Sequence, residues 1–456
     1  MRRLIVLILV FFAVGFDFFR LNRPVPSSEL VVRMPVFEKQ TLPSGAQLLI
    51  HTDSYLPLVH IRILFLSGES VEPENQRGVL SLLFHTIVAR NEPLRSALDS
   101  LGASPQVSVE EDSVSVSVQV RSEDATAASS ALLRAIIAPQ WNEAAFKKAR
   151  WSLSQRLADT AEHPKTVASI ALVQLLFPKD HPWGRVPKEE ATHVQKRTLE
   201  EVQAMHRRFV VSKNLSVAIA GRILRPVASA WVKKSLTDLA EGEVLQAPLP
   251  TPKAEDRKTV LLLPFPGLSQ SVIVAAKRVP PEEHEDAMAI EMAASWLSTN
   301  AHFQLRENKT VTYGVSANYQ SSRRSGVFTV RTAVETKHTG YAAREIASQI
   351  FSSTTAEVNS KLLPMYRAGM VRNITETSAS LAGITSLAEN IFRYGADYWQ
   401  KRIAKIQTVS HIEVYKALRD HVQPGQLEMV IAGDPTVVIP QLREEGFKDV
   451  RLWASP

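Results

Sequence analysis

The sequence predicts an α+β protein made of two similar halves, which follow a hydrophobic leader and are joined by a linker. Three observations predict this architecture. Segments with the period of strands alternate with segments with the period of helices, a helix and strand unit recurs at an offset of about 212 residues, and a proline-containing stretch lies between the copies. The predicted regions are a signal peptide or membrane anchor over 1–28, an N-terminal domain over 29–240, a linker over 241–256 and a C-terminal domain over 257–456.

Composition indicates a globular protein with a mildly basic surface. The chain has 456 residues, of which 45% are apolar and 22% charged, so it is long enough for about two to four ordinary domains. The net charge is +7, but lysine and arginine are interspersed with acidic residues, which argues against a nucleic-acid-binding stripe. The absence of cysteine excludes disulfides, thiolate zinc sites and thiol nucleophiles.

The N-terminus has the pattern of a leader. Arg2 and Arg3 precede an apolar run from Leu4 to Phe16, which is short for a helix that must cross about 30 Å of hydrocarbon. This predicts export, to the periplasm or to the inner membrane with the protein facing the periplasm. Cleavage and retention as an anchor both stay open, because the run ends in a poor small-x-small site and an aromatic flank. A buried N-terminal helix is less consistent with the arginine flank.

The first half begins with two predicted strands, Ala46–Ile50 and Leu58–Leu66, and continues with a helix over 77–90. Valine alternates with polar residues from 114 to 120, which predicts a strand with one buried face. A helix is expected at about 94–101, before this strand. After the strand, helices are expected at about 124–137 and 143–162, then a further helix that ends at 177, and a helix at 198–209. A last strand is expected in NLSVAIAG.

The second half begins again with strands, VLLLPF and SVIVAAKRV, and a helix over about 283–305. TLEEVQAMHRRFVVSKNLSVAIAG from Thr198 aligns without a gap with SHIEVYKALRDHVQPGQLEMVIAG from Ser410. Two such units can occur by chance in any α+β protein. The strands at Leu58 and Ser271 lie at nearly the same offset, however, which favours a duplication.

One helix has a residue of chemical interest. Its apolar residues surround a single imidazole, His85, in the segment RGVLSLLFHTIVAR. A zinc-binding helix of the inverted type needs a histidine at 81 and a glutamate at 84 beside this histidine. The chain has Ser81 and Phe84 at those positions.

The order of several motifs resembles the M16 family of peptidases, which includes insulinase and the mitochondrial processing peptidase. The resemblance runs from about Thr41 to the end, through TLPSGAQLLI, RGVLSLLFH, HPWG, NLSVAIAG, FQLRENKTVTYGVSA and QLEMVIAGDP. It implies two homologous α+β halves of the LuxS/MPP-like metallohydrolase type, each a sheet with helices.

The resemblance also implies that the zinc box is degenerate. The family's first zinc histidine corresponds to Ser81, its catalytic glutamate to Phe84 and its second histidine to His85. Its distal glutamate ligand corresponds to Arg156, or to Gln155 if the register slips by one. These positions are expected to converge around His85. A catalytic zinc needs three protein ligands, and a phenylalanine cannot act as a general base. We therefore expect this half to hold no zinc or other cofactor, with His85 a buried relic.

Two other positions keep the family's pattern. Arg306 and Tyr313 have the spacing of the pair that binds the substrate carbonyl in the family, and both side chains can donate hydrogen bonds to a peptide or an oxyanion. Thr310 stands where the family usually has glycine. The alternative is a solvated helix end and an ordinary strand aromatic. With the family register, we interpret the pair as substrate-binding.

The resulting hypothesis is a non-catalytic subunit that pairs with an HxxEH-bearing M16 partner, which alone would carry zinc, in hydrolysing a peptide substrate. A second hypothesis is a non-enzymatic peptide-binding or envelope scaffold protein with the same shell. A third is an active peptidase with a relocated metal site at His51, His60 or His181, although these are scattered over strands and turns.

Overall fold

The computed structural model describes residues 33–159, 163–179, 181–246, 260–302, 305, 311–355, 362–422 and 426–453. The predicted leader and most of the predicted linker lie outside these ranges. No helix within them is both long enough and apolar enough to span a bilayer.

Twelve described strands form two six-stranded sheets. The first has the order β1-β2-β6-β3-β5-β4 and the second β12-β7-β11-β8-β10-β9. The strands are β1 Glu38–Thr41, β2 Gln47–Thr52, β3 Leu58–Phe65, β4 Gln106–Val109, β5 Val114–Arg121, β6 Leu215–Gly221, β7 Val260–Pro264, β8 Gln270–Val279, β9 Thr312–Ser321, β10 Gly326–Glu335, β11 Glu428–Gly433 and β12 Val450–Leu452.

The two sheets have the same topology except at one edge. In each, the first long strand pairs in parallel with the last one (β2 with β6, β7 with β11), and the inner strands pair antiparallel. The edge strand β1 precedes its sheet in sequence and pairs antiparallel with β2, whereas β12 follows its sheet and pairs in parallel with β7. The predicted α+β fold of two similar halves is confirmed.

Fifteen α-helices are described along the same ranges. They are α1 Val79–Phe84, α2 Glu92–Asp99, α3 Ala125–Ile137, α4 Glu143–Asp159, α5 Pro164–Leu176, α6 Pro187–Gln195, α7 Leu199–Phe209, α8 Arg225–Ser235, α9 Ala287–His302, α10 Thr339–Thr355, α11 Leu363–Thr377, α12 Leu381–Tyr394, α13 Tyr398–Thr408, α14 His411–Ala417 and α15 Pro435–Glu444. Two π-helical turns, His85–Ala89 and Leu418–Val422, continue α1 and α14.

The repeat extends to the caps of its helices. The Thr198 hydroxyl accepts a hydrogen bond from the Glu201 N–H, and the Glu201 carboxylate accepts one from the Thr198 N–H. Ser410 and Glu413 make the same reciprocal pair at the start of α14. Each capping box satisfies two backbone donors that a helix leaves unpaired at its N-terminus. The gapless alignment therefore corresponds to the same local structure in both halves.

Each half contributes one helix that packs on the sheet of the other half, an arrangement called the helix exchange below. Helix α12 of the C-terminal half packs on strands β3 and β6 of the first sheet, and helix α5 of the N-terminal half packs on β8 and β11 of the second. Apolar residues of α12 share a core with residues of the first sheet: Leu387, Ala388 and Ile391 with Leu49, Leu64 and Ala218. Apolar residues of α5 do the same with the second sheet: Ala168, Ala171 and Leu172 with Leu263, Val274 and Val430. Each sheet therefore has both faces covered.

This exchange corrects one expectation. The alternating strand β5 was expected to have one buried face, but Ser115 and Ser117 on its other face are each only 8% exposed. Arg62 of the neighbouring strand β3 lies across that face, since it donates to Ser115 Oγ at 3.1 Å and pairs with Glu389 of α12 at 3.3 Å.

Candidate functional site

Helix α1 begins at a glycine because the backbone there is in the left-handed region and a neighbouring side chain occupies the space of a Cβ. Gly78 has φ of +77°, and a Cβ would lie 2.7 Å from Val194 Cγ2. The N–H groups of Gly78 and Leu80 donate to the Glu72 carboxylate at 3.3 and 2.8 Å. Glu72 in turn pairs with Arg185 at 2.6 Å. A buried ion pair thus caps α1 and fixes the direction in which its side chains point.

Glu72 and Arg185 were missed by sequence reasoning. Their separation of more than one hundred residues leaves no periodic signal. The one local sign was an acidic residue shortly before the glycine that starts the helix, which is where a side-chain cap can be placed.

Ser81, at the position of the first zinc histidine, contacts a carboxylate. Its hydroxyl donates to Glu69 Oε1 at 3.2 Å. Burial and the neighbouring charge of Glu72 raise the pKa of Glu69 to about 8, against the opposing effect of Arg185. Sequence reasoning also missed Glu69. Through this residue, Ser81 belongs to a hydrogen-bonded network at the N-terminus of the helix.

His85, the one box residue that matches the family, lies in a cationic environment. It is the first residue of the π-helical turn, and its N–H donates to the Ser81 carbonyl. Burial and the charges of Arg156 and Arg90 lower the pKa of His85 to about 4. Arg156 is an exposed residue of α4, which packs against this turn. A neutral imidazole can ligate a metal, but two guanidiniums in its field oppose a divalent cation.

Phe84, at the position of the general base, points into the core of the N-terminal half. Its side chain is fully buried, and its ring centroid lies 5.1 Å from that of Phe65 and 5.9 Å from that of Phe209. Of the positions expected to converge, Ser81 and His85 lie one helical turn apart, and the charge of Arg156 lowers the pKa of His85. The side chain of Phe84 lies in the core instead. The side chains present do not fit a zinc ion.

The predicted substrate-binding pair belongs to the segment that leads into strand β9. Arg306 lies outside the described residues. Tyr313 is the second residue of β9, next to an irregularity where the register with β10 shifts between Thr332 and Val334. Their role stays a prediction.

The three histidines of the relocated-site alternative lie apart. His51 bonds to a backbone carbonyl at 3.0 Å, His60 to Thr385 Oγ1 at 2.8 Å and His181 to Ser325 Oγ at 3.2 Å. Within the described part of the chain they form no common group of metal ligands. His60 and His181 instead join the two halves.

A polar cavity of about 330 Å³ lies between the halves and is lined by residues of both. Arg393 of α12 donates to Asp112 and Glu389 at 2.6 Å each. Glu111, beside Asp112, has its pKa raised to about 7 by burial. Charge-assisted bonds across the cavity wall hold the halves in register.

The sequence from the end of α6 to the start of α11 decides the family likeness. Residues 196–369 match the family model described as peptidase M16 inactive domain. The chain is M16-like. No curated protein matches it in sequence.

Solved structures show the same fold over nearly the whole M16-like chain. The crystal structure of a peptidase M16 inactive domain from Pseudomonas fluorescens superposes with a TM-score of 0.76 at 18% identity, over 87% of this chain and 98% of that one. The first half of the periplasmic protease PqqL from Escherichia coli gives 0.73 at 12% identity, over 93% and 100%. A chain of complex III2 from Candida albicans gives 0.74 at 14% identity, over 90% and 99%.

Proposed function

We propose that the chain is a catalytically inactive M16-like peptidase subunit, which pairs with a zinc-bearing M16 partner and contributes Arg306 and Tyr313 to the binding of a peptide substrate. The observation that carries this proposal is the geometry of the degenerate box. The helix that would hold zinc is capped by Glu72, has a serine at 81 where the resemblance implies a ligand, and has the side chain at 84 inside the core.

The electrostatics of the box support the same conclusion. A metal beside His85 would face the guanidiniums of Arg156 and Arg90, which already disfavour a single positive charge on the imidazole. A divalent ion would be disfavoured more strongly, because the repulsion scales with charge. Hydrolysis therefore requires zinc and a general base supplied by another polypeptide.

The proposed pairing depends on the shape of this subunit, and the two sheets with their exchanged helices support that part of the proposal. Both sheets have the M16-like topology, and the helix exchange holds the two halves together. The PqqL structure is of a periplasmic protease, and export of the present chain through its leader is part of the proposal.

The experiment compares the purified chain alone with the chain mixed with an M16 homologue that carries an intact HxxEH motif, using an unstructured peptide pool. We expect no cleavage by the chain alone and chelator-sensitive cleavage by the mixture at a rate above that of the partner alone. Chelator-sensitive cleavage by the isolated chain would overturn the proposal.

Variants of the complex distinguish a subunit that contributes to substrate binding from a scaffold. Arg306→Ala and Tyr313→Phe should lower turnover by about tenfold or more while assembly, followed by size-exclusion chromatography, is unchanged. Tyr55→Phe, at an exposed aromatic residue of the other half, is the matched control and should have no effect. Unchanged turnover in both site variants would favour the scaffold function.

A further inference from the structure

A second group of metal-ligand side chains lies in the C-terminal half. His284 and Asp286 belong to the turn before α9, and His421 belongs to the π-helical turn Leu418–Val422. One potential ligand atom from each lies within 4.8 Å of the other two. Among the described residues, no other group of three such side chains meets this criterion.

The distances place the carboxylate between the two imidazoles. Asp286 Oδ2 lies 2.7 Å from His421 Nε2 and 3.8 Å from His284 Nδ1. The ring centroids of the two histidines are 5.4 Å apart with their planes at 82°. Both imidazoles therefore lie beside the same residue, His421 at its carboxylate and His284 at both its carboxylate and its backbone N–H.

All three side chains belong to backbone segments that are held in place by hydrogen bonds or by buried neighbours. The His284 N–H donates to the Pro281 carbonyl at 3.1 Å, and the Asp286 N–H donates to His284 Nδ1 at 3.1 Å, so the turn is closed by its own bonds. His421 is flanked by Leu418 and Val422, which are fully buried and anchor the π-helical turn.

The donor set has the chemistry of a divalent transition-metal site. Two imidazoles and one carboxylate are ligands that Zn²⁺ accepts, and a tetrahedral ion with three protein ligands keeps one position for water. The side chains of His284, Asp286 and His421 are 37%, 39% and 21% exposed, so an ion can reach them from solvent. Ligand atoms that share such an ion are about 3.3 Å apart, so the contact between Asp286 and His421 has to widen only slightly. His284 Nδ1 would exchange the Asp286 N–H that it accepts for the ion, because its single lone pair cannot serve both.

We propose that His284, Asp286 and His421 bind one zinc ion, which ties the turn before α9 to the π-helical turn after α14. This site is independent of the degenerate box, since it lies in the other half and shares no residue with it.

The bound ion would act on the wall of the cavity between the halves. The same turn carries Glu282, which accepts a hydrogen bond from Tyr398 at 2.6 Å and pairs with Arg402 at 2.7 Å. Glu282 lines the cavity. The role of the ion is therefore structural, because it holds the segment that positions a cavity carboxylate.

The test measures zinc binding to the full chain by isothermal titration after removal of metal with a chelator and dialysis. We expect one ion per chain and a melting temperature that rises with zinc concentration, as for any ligand that binds only the folded state. His421→Ala and Asp286→Asn should each lower the affinity at least about tenfold. His163→Ala, at an exposed histidine of the other half, should leave binding unchanged.

A second measurement guards against variants that fail to fold. His284→Asn, the mildest change, should also weaken binding while circular dichroism stays that of the parent chain. Cobalt bound to the parent chain should show the visible absorption of a tetrahedral ion, and His421→Ala should remove it. The proposal is overturned if no zinc binds, or if zinc binds equally to the three site variants and the control.

Discussion

Helices α1 and α9 have equivalent places in the two halves, since each follows the strand that pairs antiparallel with the inner strand β6 or β11, yet their surroundings differ. The first has one imidazole, partly buried and in the field of Arg156 and Arg90. The second is preceded by a carboxylate with an imidazole on either side. These three side chains are 21–39% exposed, and among the described residues no cation other than the two histidines pairs with the carboxylate. The duplicated framework therefore determines where a helix lies, while local charge determines whether an ion can bind beside it.

The comparison also separates two ways in which the proposed loss of the metal site would arise. Replacing a ligand, as at Ser81, is a local change that leaves the helix in place. Packing the side chain at 84 between Phe65 and Phe209 makes the change part of the core. The second kind of loss cannot be reversed without a cost in stability.

The largest expected effect is therefore at Phe84. Phe84→Glu, which restores the family's residue, should lower the free energy of unfolding by about 4 kcal/mol, because it leaves a cavity and buries a carboxylate without a partner. Urea denaturation checks this value. Phe84→Leu is the control and should cost about 1 kcal/mol. A stable Phe84→Glu protein that binds zinc would show that the core can still open to the site.

A smaller effect concerns the protonation of His85. Its folded pKa of about 4 lies below the ordinary value of 6.5, so the unfolded chain binds the proton more readily. The contribution of this group is complete above about pH 6.5 and is lost as the pH falls toward 4. Between pH 7.5 and pH 5 it should amount to about 2 kcal/mol.

Urea midpoints of the parent chain and His85→Leu at the two pH values measure this contribution. The decrease in stability on acidification should be smaller in the variant by that amount, while His163→Ala keeps the full decrease. An equal decrease in the parent chain and His85→Leu would mean that burial and the two arginines do not lower the pKa of the imidazole.

The smallest effect compares the halves directly. Thr198→Ala and Ser410→Ala each remove the side-chain acceptor of a capping box, and each should lower the free energy of unfolding by about 1 kcal/mol. Thr198→Ser and Ser410→Thr keep the acceptor and should recover most of it. Losses that differ by more than about twofold between the halves would show that the equivalent helices are not equally coupled to their sheets.

Sequence reasoning succeeded where the signal is local. The alternating valines predicted β5, the gapless repeat predicted the equivalence of α7 with α14 and of β6 with β11, and the motif order predicted the M16-like fold. It missed β4 and α6, which are short and carry no strong period. At the site, the resemblance predicted the roles of Ser81, Phe84 and His85, and these roles stay predictions. Sequence reasoning had no way to detect Glu72 and Arg185, which meet only through the fold.

The residues alone therefore indicate the class of fold and its duplication, and they predict the loss of the zinc box, because periodicity, capping patterns and ligand spacing are properties of neighbouring positions. The exchange of α5 and α12 between the sheets, the burial of Phe84 and the meeting of His421 with Asp286 depend on contacts between segments distant in sequence. Such contacts depend on the packing that buries all the apolar surfaces of the chain together, and no local pattern contains that information.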